Sequence, residues 1–331
     1  MNISLLSLGC PKNSVDSDNL MKGLCDMGAT FATDPEGADI MLVNTCGFIE
    51  EAKRESIEEI LRLARLKSGG RRLLVFGCLA QRYREELRRE IPEIDAIFGV
   101  GEEEKILSYC IQGGNSSMGA GAVLGKAHSQ RPATSYIKVA EGCDRRCSFC
   151  VIPSIRGAFR SRSPEAILRE AESMVRSGSL ELVLVAQDLT GYGKDLGGYG
   201  LRELLRDMAS IGGEFWIRLL YLYPTSIEES LMEVIAANEK ICKYMDMPLQ
   251  HSEDRMLRSM HRGGSREQYR RLVAMIRQRV PEVALRTTFM VGFPGEREDD
   301  FRGLLEFVEE TRFERLGVFK YSREEGTPSA S

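Results

Sequence analysis

Apolar residues of this chain gather in short continuous runs, and between the runs they recur at helical spacing. In the first third the runs cover residues 3–8, 39–44, 72–77 and 95–99, and each reads as a strand. Between the second and third lies EEAKRESIEEILRLARL, where Ala52, Ile57, Ile60, Leu61 and Ala64 fall at helical spacing among charges, the pattern of an amphipathic helix. Strands separated by helices imply crossover connections and a parallel sheet. Ligands of such open sheets bind just beyond the carboxyl ends of the strands.

Residues 111–134, IQGGNSSMGAGAVLGKAHSQRPAT, are rich in Gly, Ser and Ala without sustained periodicity and read as a linker. That sets an N-terminal domain at 1–110 and a second domain at 135–331. In the second, strand runs fall at 135–140, 181–186, 215–221, 242–247, 283–291 and 315–321. Ser163-Pro164 gives an N-cap and a proline at the first helical position. Ser226-x-x-Glu229 and Ser265-x-x-Gln268 read as capping boxes. Six strands alternating with five helices fall short of the eight of a closed barrel. The expected fold is therefore α/β throughout, an N-terminal parallel α/β sandwich followed by a partial (β/α)6 barrel. The last run, 315–321, is expected to leave an exposed edge.

Composition narrows the class without changing this picture. With 331 residues, 43% hydrophobic and 28% charged, the chain reads as an ordinary globular protein of two or three domains. No apolar run approaches the ~18 residues of a membrane span, and the N-terminal run reads as a strand rather than a signal peptide. A cytoplasmic location is expected, where nine cysteines point to metal binding or catalysis more than to disulfides. The net charge of −4 argues against nonspecific nucleic-acid binding and leaves room for a local basic patch.

Six cysteines occupy positions with chemical meaning. Cys10 (in GCPKN), Cys46 (in NTCGF) and Cys78 (in FGCL) each stand just past a strand run and could converge on one point. Cys143, Cys147 and Cys150 form C-x3-C-x2-C in EGCDRRCSFC after strand 135–140, at the face where barrel enzymes build their sites. Three thiolates in eight residues suit one soft metal centre. A structural zinc would want a fourth ligand, and no further Cys or His lies nearby in sequence. An iron–sulfur cluster held by three cysteines keeps one iron open. Cys25, Cys110 and Cys242 lack such company and read as core or surface thiols.

The C-x3-C-x2-C loop, with Phe149 before its last cysteine, resembles that of the radical S-adenosylmethionine (SAM) enzymes, and both domains together resemble the methylthiotransferases. The phrases LGCPKNSVDSD, NTCGFIEEAKRESI, RGAFRSRSPE, AQDLTGYGKDL, YMDMPLQHSEDRMLRSMHR, VGFPGE and YSREEGT are similar to the RimO-type branch, whose target is an aspartate of the small-subunit ribosomal protein numbered twelve. The tRNA-adenosine branch more often reads GCQMN at the first cysteine. The resemblance implies two 4Fe–4S clusters: a SAM-binding one on Cys143, Cys147 and Cys150, and an auxiliary one on Cys10, Cys46 and Cys78. It implies SAM used twice, as methyl donor to a sulfur at the auxiliary cluster and as the source of a 5′-deoxyadenosyl radical. That radical takes a hydrogen from the aspartate β-carbon, which then accepts the methylthio group. An unactivated C–H bond is out of reach of acid–base chemistry, hence the cofactor.

An electron donor such as flavodoxin or ferredoxin is implied as well, and so are SAM contacts at Phe149, Gln187, Asp188, Arg218, Gln250 and the turn 291–296 with Gly292 and Glu296. Arg218 has an alternative as a barrel-interior ion pair, Asp188 as a loop cap, and His251 as a local partner. Arg145, Arg146, Arg156, Arg160 and Arg162 flank the second cysteine loop. Arg255, Arg258, Arg262, Arg266, Arg270, Arg271, Arg277 and Arg279 mix with Glu and Asp in one helical region. Solvated helix faces account for such runs, and a surface for a ribosomal target or RNA is the functional alternative. Three other functions fit parts of the pattern: tRNA adenosine methylthiolation, a non-catalytic iron–sulfur carrier, and a zinc-binding structural protein. Family members continue with a last barrel helix and a TRAM β-barrel. This sequence stops at Ser331, so the resemblance implies a chain truncated before both.

Overall fold

The computed structural model describes residues 1–112 and 133–330, and contacts divide these into two units, 1–112 with Ser154–Arg156, and 133–153 with 157–330. Most of the expected linker, residues 113–132, lies outside the described residues.

The first unit runs β1 (Asn2–Ser7), α1 (Pro11–Asp26), β2 (Thr30–Phe31), β3 (Ile40–Thr45), α2 (Glu50–Arg65), β4 (Arg72–Gly77), α3 (Cys78–Arg82), α4 (Arg84–Glu90), β5 (Ala96–Ile97) and α5 (Glu103–Gln112). Its strands make one parallel sheet in the order β2-β1-β3-β4-β5. Strand side chains alternate between two cores, as period two requires of a sheet covered on both faces. Ile40, Leu42, Leu74 and Phe76 join Leu20, Leu24 and Ile106 in one core. Met41, Val43, Leu73 and Val75 join Ile60, Leu63 and Leu79 in the other. Each such side chain stabilises the fold by about 1.5–3 kcal/mol on full burial. The chain reverses direction across the sheet between β1 and β3, which is where sheets of this order open a crevice at their carboxyl edge.

Helix α2 buries only part of the expected stripe, Ile60 fully and Ala64 partly against the core. Ser56, Ile60 and Leu63 are buried, while Ile57 and Leu61 are 37% and 39% exposed. A serine takes an inner position because its hydroxyl has backbone groups to serve there, described below.

The second unit continues with β6 (Thr134–Lys138), β7 (Ala140–Glu141), α6 (Ile152–Arg156, whose last three residues count with the first unit), β8 (Arg160–Ser161), α7 (Pro164–Arg176), β9 (Glu181–Val185), α8 (Leu201–Ala209), β10 (Trp216–Leu219), α9 (Glu229–Ala237), β11 (Ile241–Asp246), α10 (Asp254–Ser259), α11 (Arg266–Arg279), β12 (Ala284–Val291), α12 (Glu298–Thr311) and β13 (Arg315–Lys320). Six strands, β6-β9-β10-β11-β12-β13, lie side by side in chain order and are all parallel. This is the open six-stranded arrangement expected. Ile137, Leu184, Leu219, Met245 and Leu285 line up across it in the main core with Leu204, Leu205 and Ile276 from the helices. Strand β13 forms one edge and leaves Val318 and Phe319 more than half exposed.

Ser163 and Ser265 cap their helices as read, accepting from Ala166 N and Gln268 N. Ser226 does not. Pro224 fixes its own φ and opens a short 3-10 turn, Pro224–Ser226, so α9 starts later, from Glu228, with no side-chain cap. Among the described residues no helix is long and apolar enough to cross a membrane.

Candidate active site

Three strands of the first unit deliver one cysteine each to the carboxyl edge of the sheet. Cys10 lies at the N-terminus of α1 beyond β1, Cys46 directly follows β3, and Cys78 begins α3 directly after β4. The loops that carry them touch. A Cβ on Gly9 would lie 2.7 Å from Cys46 Cβ and 3.0 Å from its Sγ; one on Gly47 would lie 2.9 Å from Leu79 N and Cα, beside Cys78. Glycine is the residue that permits this approach, and Gly9 also takes a φ of 92°. The buried Ser56 hydroxyl accepts from Cys46 N at 3.0 Å and donates to Cys46 O at 3.1 Å, pinning that backbone.

Asn13 and Arg156 complete the surroundings. The Asn13 amide donates to Leu8 O at 2.9 Å and Thr45 O at 3.1 Å, and its Oδ1 accepts from Arg156 Nη2 at 2.8 Å. Arg156 also pairs with Asp16 at 3.1 Å, with both side chains buried. Burial pushes the Cys46 and Cys78 thiols up, Cys78 to about 11; the nearby Arg156 charge, hydrogen-bonded to Cys78, pulls the other way. Thiols in such a setting give up their protons when a metal takes their place.

In the second unit Cys143, Cys147 and Cys150 follow the β6–β7 segment on one short loop. Ser148 anchors the loop to the end of α10, its N donating to Met260 O at 3.0 Å and its hydroxyl to Ser259 O at 2.8 Å. Arg262 reaches Cys147 Sγ at 3.5 Å and stacks on the Tyr223 ring at 4.4 Å. Arg145 covers the same ring at 3.7 Å and bonds Asp188 at 2.8 Å and Ser226 at 2.6 Å. Burial raises the Cys150 thiol to about 12, with Cys147 and Cys143 adding to the rise.

The other candidate residues divide by what holds them. Phe149 packs with Met256, Met260 and Phe293. Gln187 donates to Glu141 at 3.0 Å, and its buried Oε1 has no partner. Asp188 both caps the turn at Leu189–Gly191 and holds Arg145, so the loop-cap alternative is realised. Arg218 is an ion pair with Glu181 at 2.6 Å, under a cation–π contact to Tyr244, and reaches toward the amino end of β9. Gln250 sits at φ 72° and Tyr221 at φ 64°, both past barrel strands, in a backbone region that favours glycine. Glu296 accepts from the backbone of Gly292 and Phe293, shaping the turn. Six of the eight arginines in the second basic stretch are ion-paired: Arg255, Arg266, Arg270, Arg271, Arg277 and Arg279. Most of that stretch therefore knits helices together.

His251 is fully buried and accepts at Nδ1 from Ser252 N and Glu253 N, so its proton sits on Nε2 facing Glu296 Oε1 at 3.3 Å. Burial lowers its pKa, outweighing the opposing pull of Glu296, Glu253 and Asp300. The unfolded chain takes up a proton near pH 6.5 that the folded protein refuses until lower pH. Stability contributed here is complete above about pH 6.5 and falls as pH drops below it. Urea unfolding at stepped pH should show that loss in the wild type and a shallower one in His251→Gln.

Each trio fits a three-thiolate cluster. The first has its cysteine-bearing loops pressed together through glycines. The second has unpartnered buried atoms, Gln187 Oε1 and Arg262 Nε, in its surroundings. Among the described residues no three His, Cys, Asp or Glu side chains are set to grip a single ion. A cluster spreads its thiolates over several irons and asks for wider spacing.

A family model described as uncharacterized protein family UPF0004 matches residues 2–99, and that of the radical SAM superfamily matches residues 137–308. The ribosomal protein uS12 methylthiotransferase RimO of Thermodesulfovibrio yellowstonii is 54% identical over 330 residues, covering 100% of this chain and 77% of that one. The protein of the same name from Geobacter sulfurreducens is 49% identical over 341 residues, covering 99% and 76%. Among solved structures, the radical SAM methyltransferase TsrM of Kitasatospora setae superposes with a TM-score of 0.68 at 17% identity, over 99% of this chain and 76% of that one. The cobalamin-dependent radical enzyme OxsB gives 0.66 at 13% identity, over 99% and 54%. These two share the fold. The relatives match along the whole chain, and the chain belongs to the RimO-type family of ribosomal protein uS12 methylthiotransferases, within the radical SAM superfamily.

Proposed function

We propose that this protein places a methylthio group on the β-carbon of an aspartate in ribosomal protein uS12, drawing on SAM and two 4Fe–4S clusters. The observation that carries the reading is the pair of cysteine trios, each gathered at a carboxyl strand edge of its own unit. When bound, the clusters and SAM supply radical chemistry for an unactivated C–H bond and the sulfur and methyl that replace its hydrogen. The chain's part is to hold and orient. Cys143, Cys147 and Cys150 hold the SAM-binding cluster, and Cys10, Cys46 and Cys78 the auxiliary one.

Among the SAM contacts, Gln187 has the most support, since its unpartnered carbonyl oxygen suits a donor on the ligand. The Gly292 turn stands held open by Glu296, and Gln250 presents strained backbone at a strand end. Asp188 serves through Arg145, and Phe149 packs against the turn. Arg218, engaged with Glu181, gives this role no support. The electron comes from an external donor such as flavodoxin or ferredoxin, and a ribosomal target puts the reaction in the cytoplasm.

The test is direct. Reconstituted protein is incubated anaerobically with uS12, SAM, sulfide and a one-electron reductant, and uS12 peptides are read by mass spectrometry. A methylthio increment on one aspartate is expected. Its absence, with methylthio-adenosine appearing in tRNA instead, would move the protein to the other branch.

A further inference from the structure

Among the buried polar groups of the first unit is the Asn13 side chain, which is 1% exposed. Its two amide protons go to Leu8 O and Thr45 O, the carbonyls just ahead of the Gly9-Cys10 and Cys46-Gly47 segments. Its oxygen lies 3.7 Å from Cys78 Sγ. One amide thus touches all three cysteine-bearing loops. The orientation of that amide is set by Arg156, which donates to Oδ1 at 2.8 Å and is held from behind by Asp16 at 3.1 Å. Asn44 ties the frame further, donating to Asn13 O at 2.8 Å and to Ser17 Oγ at 3.0 Å.

We propose that Asn13 and Arg156 are positioning residues of the auxiliary cluster, Asn13 setting the separation of its three thiolate loops and Arg156 setting its reduction potential. The proposal rests on the reading of Cys10, Cys46 and Cys78 as cluster ligands. Three thiolates bring negative charge into a buried site, and reduction adds more. Net charge and hydrogen bonds to sulfur are the terms that set cluster potentials. A guanidinium whose side chain is 1% exposed is little screened by water and favours the reduced form. A carboxamide with donors on one nitrogen and an acceptor opposite suits this junction; an aspartate of the same shape does not, because it cannot donate to two carbonyls.

The experiment uses the full chain with Cys143, Cys147 and Cys150 replaced by alanine, so that only the auxiliary site can load. This reference should hold about four irons. Arg156→Gln should keep that iron and make reduction about tenfold less favourable, about 59 mV more negative in an EPR redox titration. Because Arg156→Gln also removes the ion-pair partner of the buried Asp16 carboxylate, the Asp16→Asn/Arg156→Gln pair is measured beside it and should shift in the same direction by less. Arg156→Lys should restore most of the potential. Asn13→Asp should release iron to a chelator with about 10–100-fold weaker retention. Potentials unchanged in Arg156→Gln and in the pair, or Asn13→Asp retaining iron like the reference, overturn the proposal while leaving the ligand assignment standing. A reference with no iron removes the ligand assignment itself, and the proposal with it.

Discussion

Replacing Cys143, Cys147 and Cys150 together with alanine is expected to halve the iron of the anaerobically reconstituted protein, from about eight to about four per chain, and to end release of 5′-deoxyadenosine from SAM. The loop itself should survive. Its anchors are Ser148 on α10 and the Arg145 and Arg262 stack on Tyr223; cysteine sulfurs add the Arg262 contact to Cys147 and the Arg145 N bond to Cys143. What is lost is the donor set. Iron and sulfide assays give the first number, and chromatography of the SAM products gives the second. Eight irons retained in the variant would mean that these cysteines hold none. Four in the wild type, falling to none in the variant, would mean that the first unit carries no cluster and that the protein is a radical-SAM enzyme of a simpler kind.

The reciprocal variant, Cys10→Ala/Cys46→Ala/Cys78→Ala, is expected to keep about four irons and to go on cleaving SAM, but to give no methylthio-aspartate on uS12. The two losses separate because each trio belongs to its own unit with its own cores. Truncating a small buried side chain such as Cys78 removes one sulfur from the interior, a cost of about 1 kcal/mol or less in a domain with two packed faces. A variant that folds, cleaves SAM and fails only in sulfur transfer is the expected phenotype. A variant that still transfers methylthio groups would show that the three strand-end cysteines are bystanders.

The placement of Cys10, Cys46 and Cys78 past strand ends, and of Cys143, Cys147 and Cys150 on one loop, is legible in the sequence, because a parallel sheet carries its connecting loops at the strand ends. The strands themselves were legible for the same reason, since a strand buried on both faces is an unbroken apolar run. Where the reading failed, longer-range geometry had taken over from local pattern. Ser226 looks like a cap, but Pro224 starts a turn first and Arg145, 81 residues away, claims the hydroxyl. Ile57 and Leu61 look like the buried stripe of α2, but Ser56 is drawn inward by Cys46. Arg156 reads as one of five arginines near a loop, and its bond to Asn13 spans 143 residues. Nothing in a local window distinguishes it. Asn13, in GCPKN, offers the better hint, an amide three residues after Cys10 in the first turn of a helix.

The strand order of the first unit has a consequence for how this protein comes into being. Cys143 to Cys150 lie on one loop, so their metal can be gripped by a short nascent segment with little chain entropy to overcome. Cys10, Cys46 and Cys78 are brought together only once β1, β3 and β4 are side by side, an arrangement built from contacts distant in sequence. On the proposed ligand assignment the auxiliary cluster would be a seal on a finished fold: it would bind the folded unit and not the unfolded one, and by mass action add its binding free energy to the stability of the unit. Iron starvation would thus weaken one half of the molecule as a structure, and the other mainly as a catalyst.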